Sequence, residues 1–317
     1  MPEGILIDYN DGRPVMEITA GLRAPSFCKS FTLDDCIYSS GRTRIDTPLT
    51  QGSEVVLIPK EPVHIIDGGQ YASAVWMQSL SRNGNSGIYI TNASNNGEAA
   101  ANWEGNIFEI LPVATYNEGL LVSDSTDFTA ISNASKLMTC VYSGSVTINE
   151  ALKLPVSGIP FAKWSNPDVS IGFDGTNLYA VNSTYSGRDD VRANVTIDLV
   201  IFGNKAPVAG DGITMTNSSG QVTFSTLSKP FLYSKSIEIS DSFQSIGTDM
   251  VCLMFTGAMN NSIGGYNCVR RKGITMLNGQ VRSNRNLLYG NYYIQGGWYV
   301  QFNANISTPI LTIPNMY

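Results

Sequence analysis

The chain has 317 residues, of which 43% are apolar and only 15% charged, with 30 glycines and a net charge of −6. Such a chain can form one large domain or two to three ordinary ones, with a surface built from Ser, Thr and Asn rather than Lys and Glu. The acidic balance disfavours a nucleic-acid partner, because phosphates are neutralised by Lys and Arg. The longest apolar runs, such as Val55–Ile58 and Leu199–Phe202, are far below the roughly 20 residues of a membrane-spanning helix. No apolar signal core follows Met1-Pro-Glu-Gly-Ile, so synthesis in a cytosol without membrane insertion is the expectation.

The first element reads as a β-hairpin. In the segment Gly4-Ile-Leu-Ile-Asp-Tyr-Asn-Asp-Gly12 the apolar residues Ile5 and Ile7 alternate, a turn of Asp, Asn and Gly follows, and Val15-Met-Glu-Ile alternates again. Ser30-Phe-Thr-Leu-Asp continues the pattern, and Gly87–Ser94 and Ile107–Leu111 follow as strands. Gly97–Trp103, rich in alanine, is the best helical candidate, a turn or two at most. The scheme restarts at Gly119, with Leu120 and Val122 alternating, a Ser-Asp-Ser-Thr-Asp turn, Phe128-Thr-Ala-Ile, and then Ser145-Val-Thr-Ile-Asn. It restarts again at Gly212, with Ile213 and Met215, Val222-Thr-Phe, and Ser236-Ile-Glu-Ile-Ser. Counted from each motif glycine, the later strand begins 26, 26 and 24 residues on. Asn177–Thr184 echoes Gly87–Ser94, and each leads to an apolar strand.

Breakers at Pro112–Glu118 and Asn204–Asp211 divide the chain into modules 1–116, 117–206 and 207–317, the third departing from the pattern in its back half. Short strands with frequent turn signals predict an all-β chain of three tandem β-sandwich-like modules with related N-terminal hairpins.

Candidate chemistry is sparse. One histidine, His64, on an apolar stretch argues against Ser–His, Cys–His and zinc sites, so no metal or cofactor is expected. Cys28, Cys36, Cys140, Cys252 and Cys268 are odd in number and form no C-x-x-C pair, so they read as buried thiols. Asn-x-Ser/Thr sequons, among them Asn92 and Asn260, read as a by-product of polar turns. Asp8-Tyr-Asn-Asp-Gly12 has the wrong spacing for a calcium loop, and its repeats, Ser-Asp-Ser-Thr-Asp and Thr-Asn-Ser-Ser-Gly, share turn propensity rather than charge. Glu104 with Glu109, and Asp189 with Asp190, are the carboxylate pairs to weigh for glycoside hydrolysis. Neither pair converges within one regular strand, where odd spacings face opposite sides.

The third module carries the one local signal for binding. Arg270, Arg271, Lys272, Arg282 and Arg285 form a basic cluster in an acidic chain, and aromatics gather nearby at Tyr292, Tyr293 and Trp298. Arginine can pair with phosphates such as those of lipopolysaccharide, and exposed aromatics can stack on sugars or anchor a protein.

The opening Met1-Pro-Glu-Gly-Ile-Leu-Ile, continued to Ile18, resembles the hairpin module of minor tail proteins of lambda-like bacteriophages and their prophages. Gly119–Ile131 and Gly212–Phe224 match it more loosely. The resemblance covers the hairpins alone and implies a non-enzymatic tail-tip or fibre-associated virion protein. It further implies other phage tail proteins as partners, a bacterial surface receptor, and either a homotrimer or one chain whose three modules mimic three subunits. The alternatives are a tail-associated carbohydrate-active hydrolase and a soluble prophage protein that binds a bacterial surface component.

Overall fold

Each copy of the repeated motif folds as a separate antiparallel hairpin: Gly4–Ile7 with Met16–Thr19, Gly119–Ser123 with Phe128–Ser132, and Thr214–Thr216 with Val222–Ser225. The computed structural model describes residues 4–10, 15–69, 71–97, 100–112, 119–123, 128–132, 135–294 and 301–317. Within the hairpins the period-two pattern sets the faces. Ile5, Ile7, Leu120, Ile213 and Met215 pack on the core beside buried Met16, Ile18, Val122, Ile131 and Phe224. Leu6 and Leu121, one residue out of phase, are 65% and 58% exposed.

An isolated two-stranded hairpin is marginal in water, and these three are tied to one another. The Thr129 hydroxyl lies 2.7 Å from the carbonyls of both Thr19 and Leu22, joining the second hairpin to the first. The Tyr9 hydroxyl donates to the Thr226 carbonyl at 2.7 Å, joining the first to the third.

Beyond each hairpin runs a junction segment, and the three segments pair with each other. Arg23 and Tyr233 exchange backbone hydrogen bonds at 2.9 Å, and the Phe27 N–H donates to the Lys136 carbonyl at 2.8 Å. The Phe231 and Cys140 N–H groups donate to the carbonyls of Met138 and Lys229 at 2.8 and 2.9 Å. First meets third, first meets second, and second meets third, so the hydrogen bonds close a ring.

Past the ring, the chain builds the same three-stranded sheet three times. The module's last strand lies in the middle, flanked by the strand that follows the hairpin and by an intermediate one. In the first module Gly105–Ile110 lies between Ser26–Phe31 and Glu54–Pro59. In the second, Asn194–Gly203 lies between Thr139–Asn149 and Ile159–Lys163. In the third, Ile310–Ile313 lies between Lys235–Ile237 and Met250–Cys252. The third module thus keeps the inner topology that its sequence obscures.

Phe108, Phe161, Phe202 and Phe231, all fully buried, meet with ring centroids 4.8–5.7 Å apart. Each such ring contributes about 1.5–3 kcal/mol by leaving water, so this shared core binds all three modules. On the alternate face of the first inner sheet, Phe31, Leu57 and Ile107 pack with Ile45, Met77, Ile88, Ile90 and Trp103 in a core of their own.

Outer strands complete the sandwiches. In the first module Gly87–Ser94 lies between Arg42–Asp46 and Ala72–Arg82. Its sequence echo, Asn177–Asn182, holds the same central place between Ala151–Lys153 and Asn166–Phe173. The segments 117–206 and 207–317 are joined by hydrogen bonds: Ile159–Lys163 pairs with Met250–Cys252, and Asn166–Phe173 with Tyr266–Leu277. An open edge leaves N–H and C=O groups unpaired, and here each segment covers the other's edge. The third module's outer part is a long ribbon of Tyr266–Leu277 against Gln280–Tyr293. It turns at Asn278-Gly279, both residues at positive φ (48° and 73°), as a two-residue hairpin turn requires.

Among the described residues the only helix is one 3-10 turn, Leu33–Asp35. The expected helical turns at 97–103 are absent from its described part. There Ala101 and Trp103 point into the first module's core, and the Trp103 indole N–H donates to the Asn92 side-chain carbonyl at 2.8 Å. No helix among the described residues is long and apolar enough to cross a membrane.

Candidate functional site

The loop 183–192 leaves the strand Asn177–Asn182 and folds over the ribbon. It is closed by the Asn182 N–H donating to the Val191 carbonyl at 2.8 Å, and its entry is set by the Thr184 N–H donating to the Asn182 side chain at 3.0 Å. The hydroxyl end of Tyr185 packs against Gly187, where any Cβ would lie 2.2 Å from the tyrosine oxygen. The ribbon beneath slips register twice, at Val269/Arg270 and at Arg270/Lys272, leaving Tyr289 as an extra residue. Bulges of this kind re-aim side chains, and here they direct Arg270 and Arg285 at the loop.

Arg270 is fully buried and pairs with the Asp190 carboxylate. Its other terminal nitrogen donates to the carbonyls of Gly187 and Asp189 at 3.1 and 3.2 Å. The second oxygen of Asp190 accepts from the Leu288 N–H at 2.6 Å, so this pair clamps loop to ribbon. Arg285 also donates to the Gly187 carbonyl, at 3.3 Å. Arg188 lies 4.5 Å above the Tyr266 ring, and Tyr266 meets Tyr293 edge-on at 5.4 Å.

The electrostatics of this site are unbalanced. Three guanidinium groups face two carboxylates, Asp189 and Asp190, and Asp190 is already engaged by Arg270. Neither Arg188 nor Arg285 forms an ion pair among the described residues. Burial first, and then the neighbouring Arg270 cation, push the Arg285 side chain below its ordinary pKa, and its buried Nε has no partner.

Of the residues expected from the sequence, Arg270 and Arg285 meet at the Gly187 carbonyl, and Tyr293 joins the site through the Tyr266 ring. The others point elsewhere. Arg271 pairs with Glu61 at 2.5 Å and lies 4.8 Å above Phe255. Lys272 is buried and donates to Asp241 and Asn303. Arg282 covers Phe243 at 4.6 Å. Tyr292 packs on the core, its hydroxyl pushed up to about 12 by burial and then by the Asp67 carboxylate. Trp298 lies outside the described residues. Tyr185, Arg188, Asp190 and Tyr266 complete the site without having been singled out for it. The available signal was the charge-dense run Arg188-Asp-Asp-Val-Arg192 in a chain that is only 15% charged.

Other groups weighed for chemistry have structural partners. Glu104 pairs with Lys60 at 3.1 Å on the rim of a cleft of about 490 Å³ between the first two modules, floored in part by Cys252 and Leu253 of the third. Glu109 is buried and accepts from the Thr50 N–H and the Thr50 and Ser53 hydroxyls at 2.7–2.9 Å. His64 lies edge-on to Trp103 at 4.6 Å, its pKa lowered by burial. All five thiols are free. Asp8 accepts from the Asn10 N–H at 2.9 Å, as a turn residue does. The Asn92 amide donates to the Thr43 hydroxyl at 3.2 Å, and Asn260 is buried.

No curated protein and no solved structure matches the chain. One family model does, over residues 4–294, from the first hairpin through the end of the ribbon, and so takes in the three hairpins and the arginine–tyrosine site. The chain therefore belongs to that family, described as a family of unknown function (DUF6453).

Proposed function

We propose that the chain is a non-enzymatic component of a bacteriophage virion tail, at the tip or on a fibre, with structural and host-recognition roles. The observation that carries this reading is the internal triad. Three sequence-related hairpins, three matching inner sheets and a closed ring of junction hydrogen bonds occur within one chain. Such a body offers similar surfaces around one junction, which suits a tail assembly of threefold symmetry, the single chain standing in for three subunits.

The likeness of the opening hairpin to minor tail proteins of lambda-like phages supports the same reading. Leu6 and Leu121, exposed at equivalent places on two hairpins, offer apolar contact to neighbouring tail proteins. Recognition of the bacterial surface falls to the arginine–tyrosine site. The reading is tested by mass spectrometry of virions purified from an induced culture of the encoding bacterium. The chain is expected at a fixed ratio to known tail proteins after gradient and salt washing. Its absence from the particles, with the chain abundant in the lysate, would contradict the proposal.

A further inference from the structure

The site under the 183–192 loop holds more positive charge than its own carboxylates neutralise, in a chain whose net charge is −6. We propose that Tyr185, Arg188, Tyr266, Arg285 and Tyr293 form a binding surface for an anionic saccharide. The guanidinium groups take a phosphate or carboxylate substituent, and the exposed tyrosine rings lie against the sugar. The inference rests on the host-recognition reading and names the ligand class for it.

Four observations converge. Arg188 and Arg285 have donors to spare: Arg285 spends one on the Gly187 carbonyl at 3.3 Å, and Arg188 is held by the Tyr266 ring at 4.5 Å rather than by a carboxylate. Arg285, half-buried and without a carboxylate partner, carries a desolvation cost that an oxyanion offsets through paired N–H bonds. Second, the loop is fixed before any ligand arrives, because buried Arg270 is locked to Asp190 and to three successive loop carbonyls. A prefixed site loses less entropy on binding. Third, Tyr293 and Tyr185 are 61% and 42% exposed, Tyr293 against the Tyr266 ring that carries Arg188 and Tyr185 within electrostatic reach of Arg285, giving flat apolar area with a polar edge, as a pyranose face requires. Fourth, the surrounding charge is wrong for a polyanion read along a track, since Asp189 and Asp190 border the site. One isolated anionic group on an otherwise neutral ligand fits it better.

The test is calorimetric titration of the full chain at low salt with four probes: glucose 6-phosphate, glucuronate, a neutral malto-oligosaccharide and inorganic phosphate. Either anionic saccharide is expected to bind more tightly than the neutral one and than phosphate, and which of the two does so distinguishes a phosphate from a carboxylate ligand. Arg188→Gln and Arg285→Gln are expected to weaken that binding about tenfold each, or about 1.4 kcal/mol. Tyr293→Ala should weaken the saccharide while leaving inorganic phosphate unchanged. Arg188 is exposed, so its variant should melt as the wild type does and keeps the test independent of folding. Binding of neither anionic saccharide by the wild-type chain overturns the inference, as does binding that Arg188→Gln leaves unaltered. A chain present in virions that binds no anionic saccharide would sink this inference alone. Binding by a chain absent from virions would sink only the tail reading.

Discussion

Arg270 and Lys272 stand two residues apart on one strand, and both are buried, yet they serve different neighbours. Arg270 clamps the 183–192 loop through Asp190, while Lys272 reaches Asp241 and Asn303. Removing one partner of a buried pair leaves an uncompensated charge and costs about 3–5 kcal/mol. Arg270→Ala should therefore lower unfolding stability by that order in chemical denaturation, whereas Arg188→Gln at the exposed rim should stay within about 0.5 kcal/mol. Acid sensitivity belongs at this scale too. Burial alone would raise the Asp241 carboxyl, but hydrogen bonds from Lys272, Asn305 and Asn303 hold it below its ordinary 3.8. Asp174 is held low against burial in the same way, by the Asn177 N–H, the Tyr179 hydroxyl and the Thr176 N–H. A carboxyl depressed on folding adds stability above its unfolded value and loses it as pH falls through the folded one. Stability should thus decline on acidification below about pH 4, and Asp241→Asn should flatten that decline; an unaltered acid limb would contradict the assignment.

Among the elements, the hairpins were legible in the sequence because alternation is local: Ile5 and Ile7 face in and Leu6 faces out whatever the rest of the chain does. The turn Asn278-Gly279 is equally local, yet its consequence is not. A Cβ on Gly279 would meet the Gly247 carbonyl at 2.1 Å, while one on Gly220, also at positive φ, meets nothing within 4 Å. Gly279→Ala should therefore cost clearly more than the roughly 1–2 kcal/mol of a left-handed alanine, and Gly220→Ala no more than that; equal costs in urea titrations would contradict the contact. The expected helical turns at 97–103 failed for a tertiary reason, since Trp103 fills the first module's core and its indole N–H finds Asn92. The arginine–tyrosine site was half legible. Arg270 and Tyr293 lie in a basic and aromatic stretch, but Arg270's partner Asp190 is 80 residues away and is delivered by the ribbon's two bulges. No local pattern encodes such a meeting.

At the scale of the molecule, three copies of a motif could be counted in the sequence, but not how they associate. The ring pairs Arg23 with Tyr233 and Phe27 with Lys136, and the second and third modules share one 14-stranded sheet. Such pairings are set by packing over long chain separations. With Phe231 in contact with Phe108, Phe161 and Phe202 at 4.8–5.7 Å, unfolding should be one cooperative transition. Phe231→Ala should lower its midpoint with a loss of about 3–5 kcal/mol, and separate calorimetric transitions for the modules would contradict a common core. If one chain stands in for three subunits, light scattering should return the mass of a single chain. The most direct measurement is immunogold electron microscopy of purified virions with antibody against this chain. Label confined to the tail tip or its fibres is the predicted result; particles without label, or label on capsids alone, would contradict the account.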